Sequence, residues 1–340
     1  MILITGATGF LGSHLLYHLV LYNDSVLAIY RTKEKIKATK RVFGYYSNQS
    51  VELMKKINWI RADITEIPSL EKVFSYPITQ VYHCAALVSF YLKDYKKMRK
   101  TNIEGTANLL NFCIDKRIDN FCFVSSISTL GTSDSKYITE EHEWYDSDKN
   151  HCYAITKQGA EMEVWRASQE GLNTIIVNPG VILGSGFWNE GSGRLFTKIY
   201  RGFKFYTEGV TGFIGVKDVV KAMTALVEAG TKNQRYVLVS ENKSFKEVFL
   251  LIAEGFKKKA PSFKIGKASS ELIWRVDNLL NKITGKSPWV SKQALRLSQQ
   301  KHFYSSKKIQ SEINFKFSSI TQVIAEICSN FLSDLRNKTQ

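Results

Sequence analysis

The chain opens MILITGATGFLGSHLL, residues 1–16. A short apolar run rich in β-branched side chains comes first, and Gly6, Gly9 and Gly12 then recur every third residue. Three readings compete: a secretory signal, a buried hairpin and a cradle for phosphate. A signal segment needs a cationic start and a small-residue cleavage site. No Lys or Arg precedes the apolar run, and no such site stands out. The cradle reading demands a strand, a glycine turn and then a helix. Residues 1–5 predict the strand and Leu11–Tyr22 the helix, with Leu15, Leu19 and Tyr22 on one face. Gly6 then allows a tight turn, Gly9 lets the backbone approach a pyrophosphate, and Gly12 lets the helix pack on the strand. The helix start offers unpaired N–H groups to the same anion.

The same rhythm continues. Strands are predicted at Ser25–Tyr30, Ile57–Ala62, Gln80–Cys84, Phe121–Ser125 and Thr174–Asn178, with helical patterns near 33–41, 69–75, 95–116 and 152–170 between them. Alternating strand and helix argue for a parallel sheet, and continuous apolar strands argue that both of its faces are covered. The fold class is therefore α/β, a doubly wound parallel sheet. Beyond Pro179 glycines and aromatics dominate. A seventh strand near 235–239 returns to the sheet, and residues from Phe245 onward look mostly helical. Residues 1–180 are expected to form a dinucleotide-binding domain and 181–340 a smaller, mostly helical substrate lobe.

Composition narrows the class. Apolar residues make up 44% of 340, ordinary for a globular protein. Apolar runs such as Val248–Ala253 are far short of the roughly 20 residues of a membrane span. Five cysteines without CxxC or zinc spacing point to a reduced, cytoplasmic protein with no metal site. His83-Cys84 and His151-Cys152 are read as incidental pairs, since neighbours on a strand face opposite ways. The net charge is +16, and residues 241–340 hold 18 Lys and Arg against 8 Asp and Glu. Without interleaved aromatics, the cluster Lys257-Lys258-Lys259 reads as a solvated surface and not a nucleic-acid platform.

Chemistry-bearing residues fall just past successive strand ends: Arg31, Asp63, Ala85-Ala86, Ser126 and Pro179. In a doubly wound sheet those ends line one crevice. A carboxylate after the second strand would hold the ribose hydroxyls of NAD; Arg31 stands there instead, and a guanidinium suits a 2′-phosphate. NADP(H) is the expected cofactor, with NAD(H) the alternative. Tyr153 and Lys157 are four apart on one helix. A free phenol has a pKa near 10, and a neighbouring ammonium lowers it toward use as a base. Ser126 is placed to donate to a carbonyl oxygen.

These residues resemble the short-chain dehydrogenase/reductase superfamily in its extended branch, the NAD-dependent epimerase/dehydratase family. The likeness is strongest over residues 1–185. Thr5-Gly6-Ala7-Thr8-Gly9-Phe10-Leu11-Gly12 is similar to the family's cofactor loop, and Asp63-Ile64 to the pair that meets adenine. Ala85-Ala86 resembles the segment lining the cofactor, and Asn102 a family position in the helix before the fifth strand. The resemblance implies that Ser126, Tyr153 and Lys157 are catalytic and that Ser125 and Pro179 border the cofactor. It also implies pairing of two copies through helices 95–116 and 152–170, giving a homodimer.

Within the branch, Ser126 is followed by Ile127-Ser128, without the acid of sugar dehydratases. Asn178 stands where sugar epimerases carry Arg before Pro179. The pattern at 178–184 and at Gly285–Pro288 is similar to the dihydroflavonol-reductase and 3β-hydroxysteroid-dehydrogenase-like group. That group implies interconversion of a carbonyl and a secondary alcohol on a small, fairly apolar substrate. A nucleotide-sugar epimerase and a non-catalytic dinucleotide-binding regulator are the alternatives. Phe90, Phe187, Trp188, Phe196 and Tyr206 are candidates for an apolar pocket, with specificity loops at 87–94, 128–150 and 181–212.

Overall fold

The computed structural model of the chain describes residues 1–131, 136–145, 150–266 and 292–339. Gly285–Pro288 lies outside the described residues. Seven parallel strands form the central sheet: β1 (Ile2–Thr5), β2 (Val26–Tyr30), β3 (Ile57–Arg61), β4 (Gln80–His83), β5 (Asn120–Val124), β6 (Thr174–Pro179) and β7 (Gln234–Leu238). Their order is β7-β6-β5-β4-β1-β2-β3. The expected strands are all present, within a residue or two at their ends.

Both faces are covered, which is why the strands read as unbroken apolar runs. One face packs against the first helix (Phe10–Tyr22), through Leu11, Leu15, Leu16, Leu19 and Val20, and against the helix Val216–Glu228. The other receives Leu109, Leu110 and Cys113 of the helix Gly105–Asp115, and Ala160, Val164 and Ala167 of the helix Cys152–Gln169. The helical pattern of 95–116 is interrupted by a π-helical turn at Lys100–Glu104. Such turns re-aim side chains and cluster at functional sites.

The smaller lobe is helical but also carries a three-stranded sheet of Glu241–Ser244, Val210–Gly215 and Val181–Leu183. The sequence reading did not anticipate it. Val210–Gly215 carries two glycines, Glu241–Ser244 is wholly polar, and Val181–Leu183 is only three residues long, so none shows a clear strand pattern. A separate core joins Phe196, Val248, Ile252 and Phe256 to Ile320, Ile324, Ile327 and Phe331 of the helix Ile320–Thr339. Phe196 and Trp188, two of the five pocket candidates, are buried in that core. Among the described residues, no helix is long and apolar enough to cross a membrane.

Candidate active site

The winding of the sheet reverses between β1 and β4, and a crevice opens there beyond the carboxyl ends of the strands. Gly6 adopts φ +68°, and a Cβ on it would lie 2.7 Å from the backbone nitrogen of Ala85. The turn after β1 therefore rests directly on the segment after β4. A Cβ on Gly12 would lie 2.2 Å from the Gly6 carbonyl oxygen. Gly9 donates to that oxygen at 2.9 Å and begins the first helix without a side-chain cap. The first-turn N–H groups of Phe10, Leu11 and Gly12 are thus left for an outside acceptor. Thr8 is nearly buried beside them. A bare backbone cradle at the positive end of a helix dipole fits a dinucleotide pyrophosphate.

Polar chains brace this cradle. Ala85 N donates to Thr5 Oγ1 at 3.3 Å, and Thr5 Oγ1 lies 2.6 Å from His83 Nδ1. His83 Nε2 lies 2.8 Å from Thr106 Oγ1, which donates to the Asn102 carbonyl at 2.6 Å. Asn102, in the π-helical turn, accepts from Leu87 N at 2.7 Å and donates to Leu87 O at 3.0 Å and Thr156 Oγ1 at 3.0 Å. It thus clamps the segment beyond Ala85-Ala86 to the helix that bears Tyr153.

At the far side of the crevice, Arg31 is about half exposed, its Nη1 3.7 Å from Asp63 Oδ2. Asp63 Oδ1 accepts from Thr65 N at 3.0 Å and Thr65 Oγ1 at 2.9 Å, which fixes the turn after β3. Ile64 is buried against Gly105, where a Cβ would meet its side chain at 2.7 Å.

Beyond β5, Ser126 Oγ accepts from Ser128 N at 3.1 Å and Ser128 Oγ at 3.0 Å. Those acceptor contacts leave the Ser126 proton free to donate, and the hydroxyl lies near the Tyr153 phenol. Burial pushes that phenol up to about 12, with the nearby Ser126 hydroxyl opposing. Tyr153 is therefore a protonated acid in this state of the site. The Lys157 ammonium is buried, donates to Val124 O at 2.7 Å and lies 4.0 Å from the centre of the Phe123 ring. Burial lowers it to about 7, opposed by the charges of Glu161 and then Cys84. Phe90 flanks Tyr153, with ring centroids 6.2 Å apart, and also packs on His151 at 5.5 Å.

Two predicted positions are placed differently from the rest. The Ser125 hydroxyl donates to Glu161 Oε2 at 2.5 Å, so it serves the interior. Pro179 ends β6 fully buried, and the next residue, Gly180, donates to Leu238 O at 3.0 Å. Sequence reasoning missed Glu161. It lies four residues after Lys157 on one helix face, a spacing that was available as a signal. Of the pocket candidates, Phe90 is in ring contact with Tyr153, whereas Trp188 binds Asp334 at 2.7 Å through Nε1.

Residues 2–238 match the family model described as NAD dependent epimerase/dehydratase family. A Synechocystis sp. protein with a provisional dihydroflavonol 4-reductase name is 24% identical, the match spanning 99% of this chain and 96% of that one. Anthocyanidin reductase of Arabidopsis thaliana is 25% identical over 75% of this chain and 80% of its own. The crystal structure of gox2253 superposes with a TM-score of 0.79 at 22% identity, covering 99% of both chains, and so shares the fold.

Proposed function

The chain belongs to the NAD dependent epimerase/dehydratase family, and on that premise we propose an NADP(H)-dependent oxidoreductase that interconverts a carbonyl and a secondary alcohol on a small, fairly apolar substrate. The carrying observation is the placement of the Tyr153 phenol near Ser126 beyond the end of β5, on the same helix and one turn before the buried Lys157. A bound dinucleotide supplies the hydride. Ser126 donates to the carbonyl oxygen and orients it. Tyr153 delivers the proton to that oxygen as the carbon is reduced, and takes it back in the oxidative direction. Lys157 places a positive charge near the phenol, which eases formation of the phenolate.

Gly6, Gly9, Phe10, Leu11 and Gly12 would hold the pyrophosphate, and Asp63-Ile64 the adenine end. Arg31 supports NADP(H), because its exposed guanidinium suits a 2′-phosphate. Asn178 in place of Arg argues against an epimerase, and a pure dinucleotide sensor has no need of a poised phenol. The reductase names of the relatives support a ring-bearing ketone, and Phe90 beside Tyr153 offers it an aromatic wall. Five free cysteines support a reducing, cytoplasmic setting, and we infer a homodimer from the family likeness.

The test is a panel of ketones, aldehydes and keto-sugars read by loss of NADPH absorbance. Turnover of apolar ring-bearing ketones is expected. Turnover of keto-sugars alone, or of nothing in the panel, overturns the assignment.

A further inference from the structure

Behind the catalytic residues lies a buried carboxylate that the proposed chemistry does not use. Glu161 is 1% exposed, on the helix Cys152–Gln169, one turn beyond Lys157. Its Oε2 accepts from Ser125 at 2.5 Å, Thr129 at 2.9 Å and Asn178 Nδ2 at 3.1 Å. Its Oε1 receives Arg235 Nη1 at 3.2 Å. The carboxylate therefore joins the ends of β5 and β6, strand β7 and the helix that carries Tyr153. The same Arg235 donates through Nε to Glu140 O at 2.7 Å and through Nη2 to His142 O at 3.1 Å. Those two carbonyls belong to the long loop after β5, a candidate specificity loop. Asn178 Nδ2 also reaches Ser126 O at 3.2 Å, which ties the network to the serine turn itself.

An ion pair at this depth is costly to form and disruptive to break on one side. Well-packed apolar residues would stabilise the fold as well, so the pair points to a use beyond stability. We propose that Glu161 is a positioning residue of the reaction: it sets a buried negative charge one helical turn from Lys157 and, with Arg235, fixes the placement of the Ser126 turn and the loop at 140–142. This rests on the proposed oxidoreductase reading. Tyr153 and Glu161 stand one turn either side of Lys157 on its own helix; Val124 O and the Phe123 ring meet it from β5, and His83 and Cys84 act on it from the end of β4 and the residue beyond. Among these, Glu161 opposes the effect of burial most strongly. Arg235 faces Glu161 from β7 and offsets part of its field.

The two partners therefore act on Lys157 with opposite sign, and substitutions separate them. The intact protein is labelled with [ε-13C]lysine and titrated by NMR, the ammonium that titrates near neutrality being assigned with Lys157→Arg. Glu161→Gln is expected to lower that titration by about one unit, the size of effect a single nearby charge produces. Arg235→Gln is expected to raise it. The alkaline limb of NADPH oxidation with a dihydroflavonol as probe follows both shifts. A structural disturbance moves the two variants the same way, and an unchanged titration in either folded variant overturns the role. If Glu161→Gln does not fold, the upward shift in Arg235→Gln decides alone. Tyr153→Phe is run beside them: retained turnover there sinks the catalytic reading, while the NMR titration still judges Glu161.

Discussion

His83 donates through Nε2 to Thr106 Oγ1 at 2.8 Å. The direction follows from proton counting. Thr106 gives its own proton to Asn102 O, so it accepts from His83, and His83 Nδ1 in turn accepts from Thr5. Each polar atom of the imidazole is satisfied in the neutral form, and a second proton would force Thr5 to give up the bond it donates to Nδ1.

Acid sensitivity follows. Burial lowers His83 to about 3, and His14 and His151 to about 4 each. In the unfolded chain a histidine takes up its proton near pH 6.5. Between about pH 4 and 6.5 the unfolded state binds more protons, so stability falls as pH drops through that window. Melting temperatures recorded from neutrality to about pH 4 are expected to decline steadily. A flat profile would mean that these rings are protonated in the fold.

Tyr153→Phe removes one hydroxyl from the aromatic group formed with Phe90 and His151. Turnover is expected to fall by at least about 100-fold, the usual contribution of a positioned acid. NADPH affinity, followed by quenching of its fluorescence, stays within a factor of about two to three by comparison. Turnover at the parental rate would remove the phenol from proton transfer.

Arg31→Asp reverses the charge at the end of β2, 3.7 Å from Asp63. The ratio of kcat/KM for NADPH over NADH is expected to drop about tenfold to 100-fold, the worth of one charge-assisted hydrogen bond. No change in that ratio would place the 2′-phosphate elsewhere.

Gly12→Ala drives a methyl to within 2.2 Å of the Gly6 carbonyl oxygen. The helix start must shift away from the turn. Loss of NADPH binding is expected together with a stability loss of about 1–3 kcal/mol, read by denaturant titration. Normal cofactor binding by this variant contradicts the cradle.

The inferred homodimer is checked by sedimentation velocity. Met162 is 56% exposed on the helix Cys152–Gln169, and Met162→Glu is expected to shift the population toward monomer. A parental protein that sediments as monomer at micromolar concentration rejects the pairing.

The strands and the glycine turn were legible because they obey local rules: apolar runs buried on both faces, and glycines at a fixed spacing before a helix. Ser126 was readable as a candidate from its place just past a strand end, and Tyr153 and Lys157 from their four-residue spacing on one helix. The roles of Ser125, Glu161 and Arg235 were not, because a buried polar network is defined by partners from four segments, with separations such as the 74 residues between Glu161 and Arg235. The π-helical turn was hidden as well. Its residues read as ordinary helix, and Asn102 acquires its clamp only when Leu87 and Thr156 arrive from elsewhere.

Strand β6 is buried at every one of its six positions, and its outer neighbour is supplied from residues 234–238. The helix Val216–Glu228, which covers the same region of the sheet, also comes from beyond the boundary at 180 expected from the sequence rhythm. A fragment ending there would bare an apolar edge ready to pair with any extended chain. The smallest piece that keeps the seven-stranded sheet covered must therefore extend past Leu238, carrying much of the smaller lobe with it. Exchange of that lobe in the laboratory is thus confined to loop replacement, since removing it whole would take away an edge strand and a covering helix of the central sheet.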